Sequence, residues 1–120
     1  MGYTISIYRR EVKSKQLAYE GEDFFENTDN LLPFTSDQKE TLEKRLLNYG
    51  YLLQNENATG KQFEHKKLKG VLALLTDHAL YFESGFTEQG VFEISMTASE
   101  FTDTDEFVKY DPQNEGWEEF

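Results

Sequence analysis

Two histidines and a cluster of carboxylates are the residues of this chain best suited to chemistry. Nucleophile–base catalysis needs a base aimed at a hydroxyl or thiol. His65 and His78 are flanked by no nucleophile motif, and the chain has no Cys. The missing Cys excludes disulfides, thiolate metal sites and a cysteine nucleophile. Asp103, Asp105 and Glu106 cluster, with Asp111 further on, and a hard cation wants several oxygens in a defined loop. Phe107 and Val108 stand where an EF-hand loop would want an Asx and a Gly, so the ligand set is incomplete. The expectation is therefore no metal and no cofactor. Carboxylate-pair hydrolysis needs two carboxyls flanking a cleft. With 23 acidic residues in the chain, no one pair stands out. A small hydrolase-like enzyme using carboxylates near His78 is the alternative from the enzyme class. Gly60, Gly70, Gly85 and Gly90 are isolated, so no phosphate-cradling loop is present.

What remains is charge interleaved with aromatics. Twelve Lys and Arg face 23 Asp and Glu, a formal net charge of −11. That balance disfavours nucleic acid, whose phosphates require Lys and Arg, and it disfavours anionic membrane surfaces. It favours a basic protein partner. The charge is concentrated: in 99–120, eight acids against Lys109 leave −7 of the −11. Phe101, Phe107, Val108, Tyr110 and Trp117 are spread through the same segment. Aromatic anchors inside a charged rim suit a fast, specific protein–protein contact. Asp103, Asp105, Glu106, Tyr110, Asp111 and Trp117 are thus the expected partner-binding residues of a non-enzymatic acidic module. A regulatory subunit or nucleic-acid mimic is a further reading of the same charge.

These side chains must be positioned by regular elements. Tyr3 to Tyr8 alternates as a strand does, whereas the polar, basic run from Arg9 to Lys15 has no assignment. Glu20 to Asp29 is acidic around Phe24 and Phe25, which suggests a short helical turn pinned by aromatics. The spacing predicts one main helix over about 35–49. Thr35 with Gln38 makes a capping box, Leu42, Leu46 and Tyr49 form an apolar stripe that Leu47 widens, and Gly50 sits where a C′ glycine belongs. Tyr51 to Gln54 reads as a strand. Lys61 to Lys69 reads as a wet edge strand, since lysines blunt sheet edges. Gly70 to Ala98 reads as the central meander: Val71 to Leu75, Ala79 to Phe82, and then Val91 to Ala98, where Phe92, Ile94, Met96 and Ala98 alternate with polar residues.

The fold class expected is α+β, one main helix packed on an antiparallel sheet of five or six strands. At 120 residues it reads as a single domain, 1–120. No stretch approaches the roughly 20 apolar residues of a membrane helix and no signal-peptide core is visible, so a cytoplasmic location is expected. The oligomeric state is left open. Leu31-Leu32-Pro33-Phe34-Thr35, and Phe101-Thr102-Asp103 through Tyr110-Asp111-Pro112, resemble segments of small uncharacterised bacterial proteins. Some proteins of that kind are similar to immunity proteins, which neutralise a cognate toxin, often a basic nuclease. The resemblance implies an immunity-type inhibitor and transfers no individual residue.

Overall fold

The computed structural model describes residues 3–19, 31–58, 60–85, 87–102, 106–111 and 116–118. Alternation opens the chain as strand β1 (Tyr3–Arg9), with Ile5 and Ile7 buried. The unassigned run that follows is helix α1 (Arg10–Leu17), which buries Val12 alone. The expected aromatic turn over 20–29 lies outside the described residues. Helix α2 (Ser36–Asn48) has the predicted capping box in full. Thr35 Oγ1 accepts from the Gln38 amide at 3.1 Å, and Gln38 Oε1 accepts from the Thr35 amide at 2.9 Å. Leu42 and Leu46 are fully buried, and Gly50 ends the helix at φ 91°. Each such leucine contributes about 1.5–3 kcal/mol of burial.

The next four elements form a meander: β2 (Tyr51–Glu56), β3 (Lys61–His65), β4 (Leu72–Leu75) and β5 (Leu80–Ser84). Helix α3 (Glu88–Phe101) crosses to β6 (Phe107–Asp111), and the three-residue β7 (Gly116–Glu118) lies beyond it. All neighbours pair antiparallel in the order β2-β3-β4-β5-β1-β6-β7. The fold is α+β as expected, with six strands of four or more residues plus the short β7. Helices α2 and α3 share one face of the sheet with the larger apolar cluster, which holds Ile5, Leu46, Phe63, Phe82, Ile94 and Phe101. The opposite face carries a smaller cluster of Tyr8, Val12, Leu31 and Ala79, flanked by Tyr81, Val108 and Tyr110.

Three expectations need correction. The described chain has three helices and α2 is not clearly the main one, since α3 is 14 residues against its 13, and Val91 to Ala98 is in α3, not a strand. Gly90, Ile94, Thr97, Ala98 and Phe101 are its buried positions, a helical spacing. Phe92 and Met96, which made the alternation, are 67% and 42% exposed. The helix starts where Thr87 Oγ1 accepts from the Gly90 amide at 3.1 Å. Packing also favours Gly90, because a Cβ there would stand 2.0 Å from Ser84 Oγ and 2.8 Å from the capping Thr87 Oγ1 and would displace both hydroxyls. Third, the lysine-bearing β3 is internal, paired on both sides, and the sheet edge is β2. Within the acidic end, the described Phe101 and Phe107 join the core, and β6 pairs directly with the central β1.

Candidate functional site

Two polar groups converge on the helix-covered face. The first lies under α3. The β2–β3 register sets Tyr51 opposite His65, and their rings meet edge to face at 5.1 Å. Helix α3 brings Glu93 onto them, with Thr97 one turn later. Glu93 Oε2 accepts from the Tyr51 hydroxyl at 3.2 Å and from the Thr97 hydroxyl in a short bond. Glu93 Oε1 stands 3.7 Å from His65 Nε2. His65 Nδ1 accepts from the amides of Lys67 and Leu68 at 3.1 and 3.2 Å, which assigns the ring proton of the neutral form to Nε2, facing Glu93. Burial, reinforced by the Glu93 charge, pushes the Tyr51 hydroxyl well above the usual tyrosine range, so it stays a donor. Three donors thus converge on one carboxylate, and Tyr51 and Thr97 are fully buried. The group ties α3 to the β2–β3 hairpin.

The second group lines an open cleft of about 360 Å³ between the N-terminal half of α2, the tip of the β2–β3 hairpin and the β4–β5 turn. Four carboxylates lie on its walls, those of Glu40, Glu43, Glu56 and Asp77. Two lysines enter it. Lys61 Nζ donates to both Glu43 oxygens at 2.9 and 3.1 Å, and Lys39 Nζ pairs with Asp77 at 2.5 Å. The Lys39 hydrogen bond holds the Asp77 carboxyl below the usual range, and the Glu43 hydrogen bond holds Lys61 above its own. Glu40 pairs more loosely with Lys44 at 3.7 Å, on the solvent side of α2. Gly60 lets the hairpin tip close the cleft, since a Cβ there would stand 2.2 Å from the Leu75 carbonyl oxygen.

The residues expected to bind a partner do not share one surface. Glu106 is exposed beside the first turn of α2, where Gln38 Nε2 donates to its carboxylate at 3.2 Å. Its carbonyl accepts the Arg10 amide at 3.0 Å. Tyr110 is half-buried on the face away from α2 and α3. Asp111 points the other way, is 3% exposed, and accepts from the Tyr3 hydroxyl at 2.6 Å. Its expected role at a surface is therefore corrected to an internal tie. Trp117 lies on β7 opposite Tyr110 in register, and Asp103 and Asp105 lie outside the described residues. His78 sits in the β4–β5 turn with its amide donating to Thr76 Oγ1 at 3.2 Å, and the adjacent Asp77 carboxylate is engaged by Lys39. Among the described residues no group of three or more His, Cys, Asp or Glu could hold a metal.

Two features escaped the sequence reading. Glu93 and Thr97, read as the wet side of a strand, are an i,i+4 pair on α3, and that spacing was their available signal. Lys109, counted only as the lone base among acids, is 3% exposed and reaches α3, donating to the Ser95 carbonyl at 3.3 Å and Ser99 Oγ at 3.0 Å. No described helix is long and apolar enough to cross a membrane. Comparison with protein-family models, curated proteins and solved structures found no match for this chain.

Proposed function

We propose that the protein is a non-enzymatic binding module that receives a basic protein partner on the acidic surface at the N-terminal end of α2. The observation that carries this reading is the open cleft walled by Glu40, Glu43, Glu56 and Asp77. Its two lysines engage Glu43 and Asp77, while Glu40, in a loose solvent-side pair with Lys44, and Glu56 are exposed toward an incoming cation. Glu106 extends the acidic rim past Gln38. An arginine or lysine of the partner would enter between these carboxylates, and the −11 charge would steer the approach. Tyr110, half-buried on the opposite face, would anchor a second contact, with Trp117, its register neighbour on β7, as the other expected anchor. An immunity-type inhibitor that occludes a basic nuclease toxin is the form of module this charge pattern suits. In a bacterial cytoplasm such a protein would act before its partner is released.

The test is binding kinetics at low and high salt with a captured basic partner. Glu40→Gln with Glu56→Gln should slow association by about tenfold and flatten its salt dependence, because steering acts on the on-rate. Asp103→Asn, Asp105→Asn and Glu106→Gln together should do the same in proportion to their share of the field. Trp117→Ala should speed dissociation, at a cost of about 2 kcal/mol. Unchanged association rates in both charge variants would overturn the reading.

A further inference from the structure

Among the described residues, nothing pairs with the outer side of β2. An open edge offers backbone donors and acceptors to another strand. The Gly50 carbonyl accepts the Lys66 amide at 2.8 Å, so it faces β3. Peptide groups alternate sides along an antiparallel strand. Leu52 therefore also faces β3, while Tyr51 and Leu53 turn their N–H and C=O outward. The irregularity between Leu53 and Asn55 breaks this alternation and limits the in-phase edge to its first half. That half is apolar and uncovered: Leu52 is 47% and Leu53 45% exposed. Leu47, on the helix packed against β2, is 47% exposed.

The two ends of this edge carry opposite charge. At the Tyr51 end stand the exposed Lys66 and Lys67, and the Lys66 side chain lies across Gly50, its Cε 3.3 Å from where a Cβ would be. At the other end stands the exposed Glu56. A second copy laid antiparallel along the edge brings the basic end of each chain beside the acidic end of the other, twice by symmetry. We propose that β2 pairs antiparallel with β2 of a second copy, continuing the sheet across a twofold axis. With Tyr51 and Leu53 exchanging backbone bonds with the partner's Leu53 and the partner's Tyr51, Leu52 lies opposite the partner's Leu52. That is a non-hydrogen-bonded pair, the closer of the two kinds. The contact is self-complementary and closes at two chains. The −11 charge on each copy opposes it, so association is weak and strengthens as salt screens the long-range repulsion. This inference rests on the fold and not on the basic-partner reading, with which it shares only Glu56.

The chain has no Cys, so a single introduced thiol reports the contact cleanly. Leu52→Cys on the twofold should oxidise to a disulfide dimer at least about tenfold faster than Glu83→Cys, an exposed control on an inner strand, because the paired Cα spacing suits a disulfide. Sedimentation of the unaltered protein at about 150 mM salt, where the Debye length is about 8 Å, should show a concentration-dependent dimer. Leu53→Lys, at a half-exposed site, should abolish that dimer with an unchanged circular dichroism spectrum. Equal oxidation rates for the two thiols, a monomer at every concentration, or a dimer that survives Leu53→Lys would each overturn the proposal.

Discussion

Glu93 and Glu43 each stand on a helix, and each binds a donor from the β2–β3 hairpin, but they sit in opposite surroundings. Glu93 gathers the Tyr51 and Thr97 hydroxyls and faces His65, and both hydroxyl-bearing residues are fully buried. Glu43 holds Lys61 alone, at the wall of an open cleft, with both side chains about one-third exposed. If Glu43 is lost, water can replace it at Lys61. If Glu93 is lost, the buried Tyr51 and Thr97 hydroxyls lose their charged acceptor and keep only each other. The cost of a polar tie is set by what its partners can do without it. The buried group is therefore fixed architecture, and the open one is free to exchange its ion pairs for those of another molecule.

Leu46→Ala sets the scale for the dry packing beneath α2. It should cost about 2–5 kcal/mol in urea unfolding, and a cost near that of a surface change would show the stripe is not core. Glu93→Ala should come next, at about 2–3 kcal/mol, since it removes the charged acceptor that the buried Tyr51 and Thr97 hydroxyls share. If it costs no more than Glu43→Ala, the distinction between the two glutamates fails.

Alkaline pH probes the buried group by a separate route. Burial raises both Tyr51, beside Glu93, and Tyr8, beside Tyr81, above the usual range. A raised group contributes stability that is whole below its unfolded value, about 10 for tyrosine, and is lost as pH climbs from there towards its folded value. Each of the two should remove about 1.4 kcal/mol of stability per pH unit above about pH 10. Unfolding of Tyr51→Phe across that range should show a slope shallower by one such share, and an unchanged slope would place Tyr51 in water. The smallest effect belongs to the cleft. Lys61→Met should change stability by about 0.5 kcal/mol at neutral pH, the range of solvent-accessible pairs. The same variant, by releasing Glu43, should bind a basic partner more tightly, and weaker binding would remove the cleft from the interaction surface.

Much of this was legible in the residues because it is local. The capping box at Thr35 and Gln38, the Leu42 and Leu46 stripe and the glycine stop at Gly50 are set within one or two turns of chain, and α2 forms where they place it. The alternation of Tyr3 to Tyr8 is local too. Val91 to Ala98 misled because four apolar residues at period 2 also contain a helical pair, Ile94 and Ala98, separated by four. Only the buried neighbours Gly90, Thr97 and Phe101 decide between the periods, and their burial depends on β5 and β1 lying beneath them. The acidic end misled in a similar way. Summed charge is blind to direction, so Asp111 and Tyr110 looked alike until β6 turned them to opposite faces.

The sequence by itself determined the acidic balance, the absence of thiol chemistry, the position and ends of α2, and the extended segments that become β2 to β5, though not their arrangement. These follow from composition, side-chain period and capping, which act between near neighbours. The tertiary structure decided that β1 lies between β5 and β6, that β2 rather than β3 is the edge, and that His65, Glu93 and Tyr51 meet. It also decided that Lys109 and Asp111 are interior. These relations join residues far apart in the chain, and they are fixed by which faces must be buried together once the helices and strands pack.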